Sequence, residues 1–110
     1  MNPLLNIVYI SNRSENSMPV IARGLKLGEE FGEFSEALLH SQGLLPHKEM
    51  KEPLVGEAAD VIICTLDALA GAHPDWAPEY LIDRLNEQLD KKSDKWLRVM
   101  RALANETRRG

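Results

Sequence analysis

The chain has 110 residues, 44% of them hydrophobic, 27% charged and 5% aromatic. That length fits a single domain, here residues 1–110, and so few aromatics leave Leu, Ile, Val and Ala to build the core, which suits packed helices better than a β-sandwich. A single cysteine, Cys64, excludes an internal disulfide and fits a reducing compartment. The net charge of −4 is uneven. Lys91 to Gly110 carries seven basic and two acidic residues, an excess of +5 that leaves −9 on the rest. Such opposite ends suit a cation and a polyphosphate together, or are simply two solvated helical faces.

In chain order, Asn2-Pro3 opens a short helix, with Pro in its first turn. The apolar run Leu4 to Ile10 lacks the basic flank and cleavage site of a signal peptide. The polar stretch Ser11 to Ser17 reads as a loop, so residues 1–17 form an N-terminal helix and loop. A second helix is expected from about Pro19 to Ser41, on the apolar stripe Leu27, Phe31, Phe34 and Leu38. Gly43 caps its end. A polar connection, Leu44 to Glu52, leads to a third helix from about Pro53 to Ala70. Its stripe is Val55, Ala58, Ile62, Thr65, Leu66 and Leu69, and Gly71 is its stop signal. A fourth helix is expected from about Pro78 to Leu89, carrying Tyr80, Leu81, Leu85 and Leu89. Ser93 then caps a last helix through Trp96, Leu97, Met100 and Leu103, with residues 104–110 a frayed tail. No period-two alternation remains, and no apolar run approaches the ~20 residues of a membrane span. The expectation is an all-α fold, an antiparallel helical bundle of four to five helices, oligomeric because so small a domain buries only a modest core.

The second and third helices also carry two acidic motifs. Glu29, Glu30 and Glu33 form Glu-Glu-x-x-Glu, with Glu30 and Glu33 on one side, flanking the apolar stripe. Glu57 and Asp60 form Glu-x-x-Asp at the same spacing, and their face continues through Cys64 and Asp67. Like charges at these spacings repel by a few tenths of a kcal/mol per pair. A cation between facing helices removes that cost, and an oxygen-only ligand set selects a hard ion such as Mg²⁺ or Mn²⁺. Either motif alone is more simply a solvated face; the pair on two amphipathic helices is the stronger signal. Gly28 and Gly32 cost roughly 1 kcal/mol each inside a helix relative to Ala, which points to close helix contact or room for a ligand.

The strings Lys26-Leu27-Gly28-Glu29-Glu30-Phe31-Gly32-Glu33-Phe34-Ser35-Glu36-Ala37-Leu38 and Glu57-Ala58-Ala59-Asp60-Val61-Ile62 closely resemble the all-α nucleoside triphosphate pyrophosphohydrolases of the MazG-like group. The resemblance spans roughly Leu25 to Trp96. It implies a dimer, or dimer of dimers, in which Mg²⁺ ions bind a triphosphate and water attacks between the α and β phosphates, releasing a monophosphate and pyrophosphate. Residue by residue, it implies that Glu30, Glu33, Glu57 and Asp60 are metal ligands. Glu29 becomes a further ligand or the group that orients or deprotonates the water, and Glu30 shares that catalytic role. The metal neutralises phosphate charge and lowers the pKa of bound water, and a nearby carboxylate takes the proton. Asp90-Lys91-Lys92-Ser93-Asp94-Lys95-Trp96 is similar to the family's Lys, Asn and Arg or Lys near a Trp. Lys91 and Lys95 are the implied phosphate contacts and Trp96 a base contact, while Lys92 stands where the family often has Asn. The competing readings are a solvated helix start for the lysines and a core position for Trp96.

Trp76, in a Pro-rich turn, is a surface residue or a pocket cover. His40, His47 and His73 are isolated and suit surface roles, and Cys64 suits a small buried thiol. The expected function is therefore a cytoplasmic, Mg²⁺-dependent (Mn²⁺ also suitable) nucleotide pyrophosphohydrolase acting on a nucleoside triphosphate, self-associating, with no membrane or nucleic-acid polymer as partner. The alternatives are dUTP, dCTP or phosphoribosyl-ATP hydrolysis, or a non-catalytic helical interaction module.

Overall fold

A computed structural model describes residues 2–45, 49–50 and 52–109. They form α1 (Pro3–Ser11), α2 (Val20–Ser41), α3 (Leu54–Ala72) and α4 (Pro78–Arg109), with no strand among them. The all-α expectation holds at four helices. His47 lies outside the described residues. No described helix is long and apolar enough to cross a membrane. The chain divides into two compact units, Met1–Pro78 and Glu79–Gly110.

In the first unit, the ends of the helices follow from local chemistry. The Asn2 side chain accepts from Leu4 N at 3.0 Å and Leu5 N at 3.5 Å, capping α1, with Pro3 at its first position. Gly43 takes φ +78°, which glycine alone adopts without strain. Its N–H donates to His40 O at 3.0 Å, and Leu44 N–H donates to Leu39 O at 3.0 Å, closing a Schellman cap on α2.

The inward faces share Leu27, Phe34 and Leu66 with the expected stripes but are rotated from them. On α2 the inward residues are Arg23, Leu27, Glu30, Phe34 and Ala37, at alternating spacings of four and three, while Phe31 and Leu38 are exposed. On α3 they include Glu57, Val61, Leu66 and Ala70, while Val55 is 79% exposed. The physical reason is that charged side chains occupy inner positions. Arg23, on the first turn of α2, enters the unit rather than reaching for solvent, and carries the register with it. It meets Asp67 and Gly71, near the end of α3, whereas Glu30 and Glu33 converge on Glu57 near its start. The pair α2–α3 is therefore antiparallel. Val8 of α1 is fully buried with Leu66 and Ala70 in the apolar part of the core.

Gly71 does not end α3, which runs on to Ala72. Its lack of a side chain has another use, because a Cβ there would lie 2.6 Å from Arg23 Nη1. Gly28 and Gly32 differ from expectation too, since nothing among the described residues comes within 4 Å of a Cβ built on either.

The second unit is α4 alone, with Leu81 and Ile82 buried. Lys91-Lys92-Ser93 does not divide it. Ser93 Oγ donates back to Leu89 O at 2.7 Å and Asp90 O at 3.1 Å, so the hydroxyl is satisfied within a continuous helix rather than as a cap. The helix persists to Arg109 where a frayed tail was expected. Trp96 is 67% exposed, not a core residue.

Candidate metal centre

The two acidic motifs meet. One ligand oxygen from each of Glu30, Glu33 and Glu57 lies within 4.8 Å of the others, and the same holds for Glu52, Glu57 and Asp60. Four of these five residues are the motif carboxylates. The i,i+3 spacing on α2 and on α3 aims each pair to one side, and antiparallel packing in the Arg23–Asp67 register brings the sides together.

Burial grades the cluster. Glu30 and Glu57 are each 8% exposed, Asp60 is half-buried, and Glu33 and Glu52 are exposed. Glu57 Oε2 is buried without a hydrogen-bond partner. A buried carboxylate oxygen left so costs on the order of 1–3 kcal/mol, a cost that a bound water, ligand or ion removes. The donor set is all carboxylate oxygen, which suits Mg²⁺ or Mn²⁺ and not a thiolate-seeking or imidazole-seeking metal.

The electrostatics match that geometry. The Glu30 carboxylate, facing Glu33, holds the Glu33 carboxyl above its usual value of 4.5. Asp60, followed by Glu57, does the same to Glu52. Lys26, one turn before Glu30, supplies a built-in counter-charge. Its Nζ lies 3.1 Å from Glu30 Oε1 and 3.6 Å from Glu29 Oε2, and the hydrogen bond to Glu30 raises the lysine's pKa. Glu29 is thus turned toward Lys26, mostly exposed, and belongs to neither carboxylate triad.

Further along the same face of α3, Cys64 and Asp67 line a cavity of about 350 Å³ with Ile7, Ile10, Ser11, Asn16 and Ile63. Burial pushes the Cys64 thiol up, with the Glu30 charge adding to it. Asp67 accepts from Ser11 Oγ at 2.6 Å and Asn16 Nδ2 at 3.0 Å and pairs with Arg23 Nη1 at 3.5 Å. At 1.5 Å rise per residue, Asp60 is about 6 Å along α3 from Cys64 and about 10 Å from Asp67. The carboxylates and the cavity thus lie one to two turns apart along α3.

Lys91, Lys95 and Trp96 lie on α4, in the second unit, where Lys91 and Lys95 border a groove with Gln88, Lys92, Asp94 and Arg98. Trp76 stacks on His73, with ring centroids 3.8 Å apart. His73 Nδ1 is 3.0 Å from Leu69 O, so its ring completes the end of α3.

Sequence reasoning missed Glu52, Lys26 and Arg23. Lys26 was legible, four residues before Glu30 and so on the same helical side. Glu52 sits in a connection outside any periodic pattern, and only the fold brings it to Asp60. No protein-family model, curated protein or solved structure matches this chain.

Proposed function

We propose that this chain is a Mg²⁺-dependent nucleoside triphosphate pyrophosphohydrolase of the MazG-like kind. One observation carries the reading: the motif carboxylates Glu30, Glu33 and Asp60, from two antiparallel helices, gather around Glu57, whose buried Oε2 has no hydrogen-bond partner. Glu30, Glu33, Glu57 and Asp60 would hold the ions. Divalent ions held there would neutralise the phosphates and lower the pKa of bound water, so that water cleaves the α–β phosphoanhydride to a monophosphate and pyrophosphate.

The chain's own residues have separable tasks. Glu30 and Glu57, being buried, define the ion position. Glu33, exposed, has its carboxyl pKa raised by the facing Glu30 carboxylate, a repulsion that an arriving cation would relieve. Glu29, exposed and beside Lys26, would orient water or accept its proton. The cavity beside Cys64 offers the nucleoside end apolar walls from Ile7, Ile10 and Ile63, with the Ser11–Asn16–Asp67 hydrogen bonds as its polar feature. Lys91, Lys95 and Trp96 enter on sequence resemblance alone, as phosphate and base contacts. The carboxylate geometry supports the reading without them.

Self-association belongs to the same reading. On α4, Leu89, Trp96, Met100 and Leu103 are exposed at helical spacings, as are Ile21 and Leu25 on α2, and a second copy of the chain would bury them. A cytoplasmic setting fits the single free thiol. The test is a panel of nucleotides, including dUTP, dCTP and phosphoribosyl-ATP, assayed for pyrophosphate with Mg²⁺. Loss of release in Glu33→Gln with the oligomer intact supports the hydrolase. No release from any nucleotide by the wild-type chain leaves the non-catalytic helical module.

A further inference from the structure

We infer that Glu52, outside both acidic motifs, completes a second divalent-cation pocket with Glu57 and Asp60, so that the chain holds two ions that share Glu57. The inference rests on the metal-dependent reading above and extends its ligand set beyond the motif residues.

The geometry separates the five carboxylates into two groups. Glu30, Glu33 and Glu57 form one, Glu52, Glu57 and Asp60 the other, each with ligand oxygens within 4.8 Å of one another. Octahedral Mg²⁺ binds oxygen at about 2.0–2.1 Å, so ligands on opposite sides of one ion stand roughly 4 Å apart. Each triad is within about an ångström of that span, so small side-chain movements would close it on one ion, with remaining positions for water or phosphate. Glu57 belongs to both. A carboxylate has two oxygens and can give one to each ion, as in paired-metal sites with ions roughly 3.5–4 Å apart.

Glu57 also supplies the independent observation. It is 8% exposed, and its Oε2 has no hydrogen-bond partner although its neighbours are carboxylates that cannot donate when ionised. Glu52 reaches the site by folding back over the first turn of α3. Its Oε2 lies 3.5 Å, and its Cβ 3.7 Å, from where a Cβ on Gly56 would stand. The carboxylate is thereby delivered from the connection before Pro53 to the side of α3 that presents Glu57 and Asp60.

Mn²⁺ titration of the full-length chain without nucleotide tests this, with free Mn²⁺ followed by electron paramagnetic resonance and heat by calorimetry. The wild-type protein is expected to bind two Mn²⁺ per chain, with the spin–spin coupling of a carboxylate-bridged pair. Glu52→Gln, at an exposed position, is expected to keep the wild-type circular dichroism and bind one Mn²⁺, uncoupled. One Mn²⁺ in both proteins, or two in both, overturns the inference. Two Mn²⁺ falling to one, in a chain that releases no pyrophosphate from any nucleotide, upholds the second pocket and refutes only the hydrolase reading. No Mn²⁺ binding by the wild-type chain overturns both.

Discussion

Replacing Gly71 with Ala sets two opposed effects against each other in one position. Alanine in a helix gains up to about 1 kcal/mol over glycine, less near a terminus, and Gly71 is one residue from the end of α3. Against that, the new Cβ would stand 2.6 Å from Arg23 Nη1, 3.1 Å from Cζ and 3.2 Å from Cδ. The guanidinium must move, and it is held by Nε donating to Met18 O at 2.8 Å, by Nη1 donating to Asp67 O at 3.3 Å, and by the Asp67 carboxylate at 3.5 Å. Hydrogen bonds to a charged group contribute roughly 1.5–3 kcal/mol each, so weakening one or two outweighs the helix gain. Gly71→Ala should cost about 1–2 kcal/mol net, read from the urea midpoint, and lower Tm by roughly 5–10 °C in a domain of about this size. In an Arg23→Met background the clash is absent. The same substitution should there be neutral, or stabilising by up to about 1 kcal/mol, giving a coupling of at least ~1 kcal/mol between the two positions. A Gly71→Ala protein more stable than wild type, or an equal effect in both backgrounds, would refute the reasoning.

The acidic cluster makes the metal-free protein pH-dependent in a stated direction. Glu33 and Glu52 have carboxyl pKa values raised above 4.5, by Glu30 and Asp60 respectively. A raised folded-state pKa means the native chain binds protons more readily, so this contribution is present in acid and lost as pH rises through the folded value. Thermal melts in EDTA should therefore show Tm rising as pH falls from 7 toward 5, and the Glu33→Gln protein should show a smaller rise. A flat profile shared by both contradicts the repulsion argument. Mg²⁺ should stabilise the wild-type chain by about 2.7 kcal/mol at 100 times its dissociation constant. Calorimetric melts of Glu57→Gln should show almost none of that gain. Lys26→Met removes the counter-charge 3.1 Å from Glu30 and should lower Tm in EDTA more than in saturating Mg²⁺, where the ion replaces it. Equal losses in both conditions would show that Lys26 does not act on the cluster.

Much of the fold could be read from local patterns. Asn2-Pro3, Gly43 and the two long periodic segments mark helix limits within a residue or two of those observed. The inward faces were less legible, because a hydrophobic stripe was expected to be the buried one. Phe31 fits the stripe yet faces outward, while Arg23 and Glu30 point in, Arg23 paired with Asp67 on another helix and Glu30 with Lys26 one turn earlier. Gly71 shows the same limit. Its position suggested a stop, but its use is steric and depends on a side chain 48 residues away. The continuity of α4 past Ser93 was hidden because serine serves equally as a cap and as a back-bonded interior residue. In the site, motif spacing was enough to group Glu30 with Glu33 and Glu57 with Asp60. Helix pairing was needed to join the two groups and to recruit Glu52 from the connection.

The central claim is that carboxylates meeting at Glu57 hold Mg²⁺ for cleavage of a nucleoside triphosphate. Pyrophosphate release from a nucleotide panel, measured for wild-type and Glu57→Gln chains with Mg²⁺ and with EDTA, tests it most directly. The account predicts release by the wild-type chain with Mg²⁺ alone, a nucleoside monophosphate as co-product, and a loss of more than about 100-fold in Glu57→Gln. Release that persists in EDTA, or that Glu57→Gln leaves unchanged, would contradict it.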